Sequence, residues 1–74
     1  MNSMKYLVIV EESENGFGAY VPDLPGCAAA AETRKEVVAL IQEAIEFHIE
    51  GLTKAGDPVP VPRSQGELVD VRAA

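Results

Sequence analysis

The sequence predicts an α+β domain, a small antiparallel-type sheet under one long helix in the order β-β-β-α-β. Short β-branched and aromatic runs separated by turn dipeptides fill the first part of the chain. A capping signal followed by apolar residues at intervals of three and four fills the middle, and a proline-rich arm with a second β-branched run fills the end. A sheet and a helix each hide one apolar face, so the simplest solution is to pack one on the other.

Lys5 to Val10 (K-Y-L-V-I-V) is apolar on both faces, the pattern of a strand covered on each side, which places it inside the sheet. Glu11 to Asn15 is polar and leads into Asn15-Gly16, a dipeptide suited to the positive backbone angles of a hairpin turn. A second strand, Phe17 to Val21, then pairs antiparallel with the first. Two prolines and a glycine within Pro22-Asp23-Leu24-Pro25-Gly26-Cys27 end regular pairing and force a bend. Ala28 to Ala31 form a short third strand, against the weak strand propensity of alanine.

Thr33-Arg34-Lys35-Glu36 is a capping box, in which the Thr33 hydroxyl accepts from the Glu36 amide and the Glu36 side chain reaches back. The helix runs over about 34–55, with Val37, Leu40, Ile41, Ala44, Ile45, His48, Ile49 and Leu52 as the stripe facing the sheet. Lys54 suits the negative end of the helix dipole, Gly56 takes the left-handed cap and Pro58 blocks continuation. Pro58, Pro60 and Pro62 make an extended crossing arm that lacks three amide donors. Glu67 to Arg72 (E-L-V-D-V-R) is the last strand, at about 67–72.

At 74 residues the chain is one domain, spanning 1–74. A core of this size leaves little stability in reserve, and one cysteine, Cys27, makes no internal disulfide. Association is therefore the expected stabiliser, as a dimer or a higher even oligomer. Six Lys or Arg against twelve Asp or Glu give a formal net charge of -6. Such a surface repels phosphate backbones, so a basic protein partner fits it better than DNA or RNA. No stretch approaches the roughly 20 apolar residues of a membrane span, and the short N-terminal run before Glu11 is too brief for a signal peptide, which points to the cytoplasm. No cofactor is expected.

At Tyr20-Val21-Pro22-Asp23-Leu24-Pro25-Gly26-Cys27 the chain resembles the HicB antitoxin family, whose members carry a strand ending in a Pro-Asp-Leu-Pro-Gly-Cys turn. The Met4-Lys5-Tyr6 strand, the Gly16-Phe17-Gly18-Ala19-Tyr20 run, the helix start at Thr33, Glu43-Ala44-Ile45 and the Gly56 to Pro62 arm extend the likeness over nearly the whole chain. The resemblance implies a partial RNase H-like fold and a role as the toxin-binding half of a HicA–HicB system, in which a small basic RNA-cleaving HicA-like toxin is sequestered. Ala28 to Ala31 lead through Glu32 to the helix without the glycine and short polar residue common in the family. The chain ends at Ala74 without the DNA-binding extension many members carry, so no direct DNA contact is expected of it.

Each residue singled out has a plainer reading beside the functional one. The Pro22 to Gly26 turn is a bend the fold requires, and within the family it is also a surface for a partner, with Pro22, Asp23, Leu24 and Pro25 as contacts. Glu43, Glu46 and Glu50 form a solvated helix face or a docking face for a basic partner. His48 falls on the apolar side of the helix and Cys27 beside a row of alanines, so both read as structural residues. A nuclease would need carboxylates such as Glu11, Glu43 and Asp70 around divalent metals, but the chain has no basic patch to hold a polyanion. No catalytic or metal-ligating residue is expected. The main alternative to an antitoxin is an orphan homo-oligomeric regulatory module.

Overall fold

The computed structural model describes residues 4–73, with β1 (Ile9–Ser13), β2 (Gly16–Tyr20), β3 (Ala28–Ala31) and α1 (Arg34–Ala55) in chain order. The strands make one antiparallel sheet in the order β1-β2-β3, and α1 packs against β2 and β3 more closely than against β1. Opposite residues form rows across the sheet: Val10, Ala19 and Ala29 in one, Glu12, Phe17 and Ala31 in the next. Val10, Phe17, Ala29 and Ala31 pack on the buried cluster of Ala19, Val21, Leu24, Cys27, Val37 and Ile41. Alanine at β3 lets the helix approach the sheet closely, and this tertiary packing overrides its weak strand propensity.

The helix ends are closed as the sequence predicts. The Thr33 hydroxyl accepts from the Glu36 amide at 3.1 Å, but it donates to the Glu36 carboxylate at 2.8 Å. The two side chains thus bond each other, so the carboxylate meets the hydroxyl of Thr33 and not its amide. At the other end Gly56 has φ +76°, and the amides of Gly56 and Asp57 bond Thr53 and Leu52 carbonyls at 3.1 and 2.9 Å. That crossed pair satisfies carbonyls the last turn leaves open.

The sheet departs from expectation at its beginning. The first strand is Ile9–Ser13, not Lys5 to Val10, and it lies at the edge of the sheet, not inside it. The cause is a missing donor. The Val21 amide turns toward the β3 side, donating to the Cys27 carbonyl at 3.2 Å. The next residue of that strand to face β1 is Pro22, which has no amide to give. The β1–β2 ladder therefore ends at Ile9 opposite Tyr20, and Lys5 to Val8 outrun their partner. The hairpin turn is also displaced by a residue, with Glu14 and Asn15 in the turn and Gly16 opening β2.

After α1 the proline arm returns across the body and is fixed at two places. The Tyr6 hydroxyl donates to the Pro60 carbonyl. The Asp23 carboxylate accepts from the Arg63 amide, the Ser64 amide and the Ser64 hydroxyl, each at 2.8 Å. These donors, the Ser64 amide first, hold the Asp23 carboxyl below its usual range, against a smaller opposing effect of burial. Gly66 then passes against Leu7. Beyond it, the strand expected at about 67–72 has no ladder partner among the described residues, and Leu68, Val69 and Val71 are 100, 73 and 81% exposed.

Gly16 has φ +144°, and a Cβ there would lie 2.4 Å from the Ala31 carbonyl oxygen. Gly16→Ala is expected to cost about 2 kcal/mol or more, from strain and the backbone clash. Gly18→Ala, whose Cβ would meet the Ala29 oxygen at an ordinary 3.9 Å, leaves stability nearly unchanged. Urea unfolding of the two variants checks the contrast. For Asp23, a lowered folded-state pKa means the arm contact is complete above the ordinary carboxylate value of about 3.9 and is lost as pH falls through the lowered one. Protection of the Arg63 and Ser64 amides, taken relative to each amide's intrinsic exchange rate at the same pH, is expected to be high near neutral pH and to fall in acid. Asp23→Ala should show low protection at every pH, and acid-insensitive protection in the parent chain would show that the contact is not made.

Candidate partner-binding surface

The Val21 to Cys27 segment is a closed turn. Leu24 donates to the Val21 carbonyl and Cys27 to the Leu24 carbonyl, both at 3.1 Å, and Gly26 takes φ +85° to complete the bend. The bonds turn the Leu24 side chain inward, where it is 0% exposed beside Val37 and Ile41. Leu24 is thus a core residue and not a free anchor for a partner, because the closed turn leaves its side chain no route outward. An acid at this position would be buried without a partner, so a loss of binding in Leu24→Asp would report unfolding. Asp23 is half-buried and engaged by the arm, which leaves Pro22 and Pro25 as the turn's exposed contribution. Cys27 is buried, and that burial pushes its thiol up, away from the reactive thiolate form.

On α1, Glu43, Glu46 and Glu50 are all exposed and follow one another at three and four residues, so they share a side. Glu50 pairs with Lys54 at 2.9 Å, an exposed ion pair that adds little stability. Sequence reasoning missed what lies among these acids. Leu40, assigned to the sheet-facing stripe, is 42% exposed, and Phe47, about two turns further on, is 78% exposed. Leu40, Glu43, Phe47 and Glu50 recur at three, four and three, so they share the outward face. Next to Phe47 is a shallow hollow lined with His48, Gly51 and Leu52, where the missing side chain of Gly51 leaves room. The available signal was that Phe47 falls outside the apolar stripe, between acids.

A second feature follows from the short ladder. Between the unpaired Lys5 to Val8 segment and α1 runs an open groove of about 800 Å³, with Tyr6, Val8 and Val10 on one wall and Val38, Ile45 and Ile49 on the other. Lys5, Arg34 and Glu46 also line it. Burial raises the Tyr6 phenol, with the Asp23 charge adding to the effect. The groove was not legible while the first strand was placed inside the sheet. Glu11, Glu43 and Asp70 stand exposed on separate parts of the chain. Among the described residues no three His, Cys, Asp or Glu side chains gather to hold a metal ion, and no helix is long and apolar enough to cross a membrane.

Comparison with known proteins bears on this surface. A UPF0150 protein of Thermoplasma acidophilum is 41% identical over 71 residues, covering 95% of this chain and 100% of that protein. Antitoxin HicB 2 of Photorhabdus laumondii is 30% identical over 73 residues, 97% of this chain but 52% of its own length, so the chain spans about half of that antitoxin. Among solved structures, a chain of a HicA3 and HicB3 toxin-antitoxin complex superimposes with a TM-score of 0.69 at 33% identity, covering 81% of this chain and 70% of that one. Residues 6–73 match the family described as the HicB-like antitoxin of bacterial toxin-antitoxin systems, and the protein belongs to that family.

Proposed function

We propose that this protein is an antitoxin that neutralises a HicA-like, mRNA-cleaving toxin by binding it directly in the cytoplasm, without chemistry of its own. The observation that carries the reading is the likeness, at 33% identity, to a chain of a HicA3 and HicB3 complex. Charge supports it. A body of net charge -6 favours a cationic polypeptide over nucleic acid.

The outward face of α1 has the composition of a contact surface for such a partner. Phe47 supplies an exposed aromatic anchor, Leu40 extends its apolar area, and Glu43, Glu46 and Glu50 surround it with negative charge. Pro22 and Pro25, the exposed corners of the turn, are a secondary contact. The anchor sets the lifetime of the complex, whereas the rim of acids steers encounter. Self-association into a dimer or higher even oligomer accompanies this role, supported by the open groove and the uncovered apolar arm.

Co-expression with a small basic protein encoded beside it is expected to rescue growth that the neighbour alone arrests, and the two should co-purify. Phe47→Ala is expected to speed dissociation at least about tenfold, with unfolding unchanged because the ring is exposed. The triple change of Glu43, Glu46 and Glu50 to Lys should instead lower the association rate, about tenfold at low salt and less at high salt. Stopped-flow or surface-plasmon kinetics separates the two. If neither variant changes binding, the contact face is elsewhere; if the neighbour never binds, the antitoxin reading fails.

A further inference from the structure

The groove beside β1 and the arm after Gly66 are two unfinished halves of one contact. On one side, Tyr6, Val8 and Val10 face Val38, Ile45 and Ile49 across an open apolar groove. The backbone bordering it belongs to a sheet edge, and among the described residues Lys5 to Val8 make no ladder with any strand. Unpaired donors and acceptors beside an apolar trough are the template for an added strand. On the other side, Glu67 to Arg72 alternates as a strand does, with Val69 and Val71 on one side and Leu68 on the other, yet all three are exposed.

The arm is held away from its own core. Asp23 fixes Arg63 and Ser64, Tyr6 holds Pro60, and the chain passes Leu7 at Gly66 before leaving the body. The result is a molecule 51 Å long with a radius of gyration of 14.4 Å. A compact chain of this length would measure about 11 Å. Six residues extend about 20 Å, enough to line a neighbour's free edge from its N-terminal segment into β1. Charge agrees on the seated face: Glu67 lies on the same side of the arm as Val69 and Val71, and Lys5 and Arg34 line the groove.

We infer that two copies of this chain exchange arms, each laying residues 67–72 as an added strand along the other's β1 edge, with Val69 and Val71 seated in the apolar groove. The exchange is reciprocal, so the contact is self-complementary and covers both open edges at once. The inference deepens the self-association proposed above and rests on it.

Sedimentation of the full chain, together with Val69→Asp/Val71→Asp, tests it. The substituted residues are exposed, so the fold of each copy is kept. The full chain is expected to be dimeric at micromolar concentration, with slow amide exchange at Lys5 to Val8. In the double variant, dissociation should be at least about a hundredfold easier and the same amides should exchange freely. Val38→Glu, at a position 40% exposed on the opposite wall, is expected to weaken the dimer from the groove side. A dimer unaffected by the arm variant would overturn the exchange while leaving self-association standing. A full chain that is monomeric at about 100 μM, including one whose own arm protects Lys5 to Val8, would overturn both.

Discussion

One absent amide shapes much of this fold. β2 alternates its backbone bonds between two neighbours, and on the side of β1 the donor after Tyr20 falls at Pro22, which has none. The ladder stops there. Because it stops, the first apolar run is cut in two: Ile9 and Val10 stay in the sheet, while Lys5 to Val8 project past it as an unpaired edge. The groove against α1 exists for that reason, since the wall is long enough to reach beyond β2 but has nothing beside it. A proline usually noticed for the bend it makes acts here equally through the hydrogen bond it withholds.

The turn that follows is engaged inside the molecule at three of its six positions, Cys27 being buried in the core. Leu24 closes the core over Val37 and Ile41, and Asp23 collects three donors from the arm. This carboxylate is held chiefly by two amides and a hydroxyl, with the Arg63 charge a smaller contribution, so hydrogen bonds and not a salt bridge satisfy it. The motif that carries the family likeness thus owes its residue types first to the fold. Its proline corners face outward because the residues between them face in.

Local signals in the sequence were enough for α1, whose boundaries, Thr33 cap and Gly56 terminus depend on contacts within a few residues. The alanine strand was also legible, because the turn before it and the cap after it left it no other place. Strand 1 was not. A run apolar on both faces reads as interior, and nothing local distinguishes a strand covered by its own chain from one left at an edge for other cover. The same ambiguity affects Leu68, Val69 and Val71: their alternation reads as a strand, but a strand is defined by its partner, and the described residues supply none. At the binding surface the acids Glu43, Glu46 and Glu50 were readable from spacing. Leu40 was misassigned because a helical stripe about 100° wide admits a residue at its margin, and Leu24 because a residue between prolines looks exposed until the turn's hydrogen bonds are known.

The two surfaces lie on different sides of α1, and their electrostatics couple them. Phe47 with Glu43 and Glu50 faces outward, whereas Val38, Ile45 and Ile49 line the groove, with Glu46 at its margin. Joining two copies doubles a formal charge of -6 on one body, so self-repulsion opposes assembly most at low ionic strength. The same doubling strengthens the field that draws in a cationic partner. A partner that neutralises the outer faces would remove part of that repulsion, so binding on the outside of the helix would favour the apolar contact in the groove without touching it.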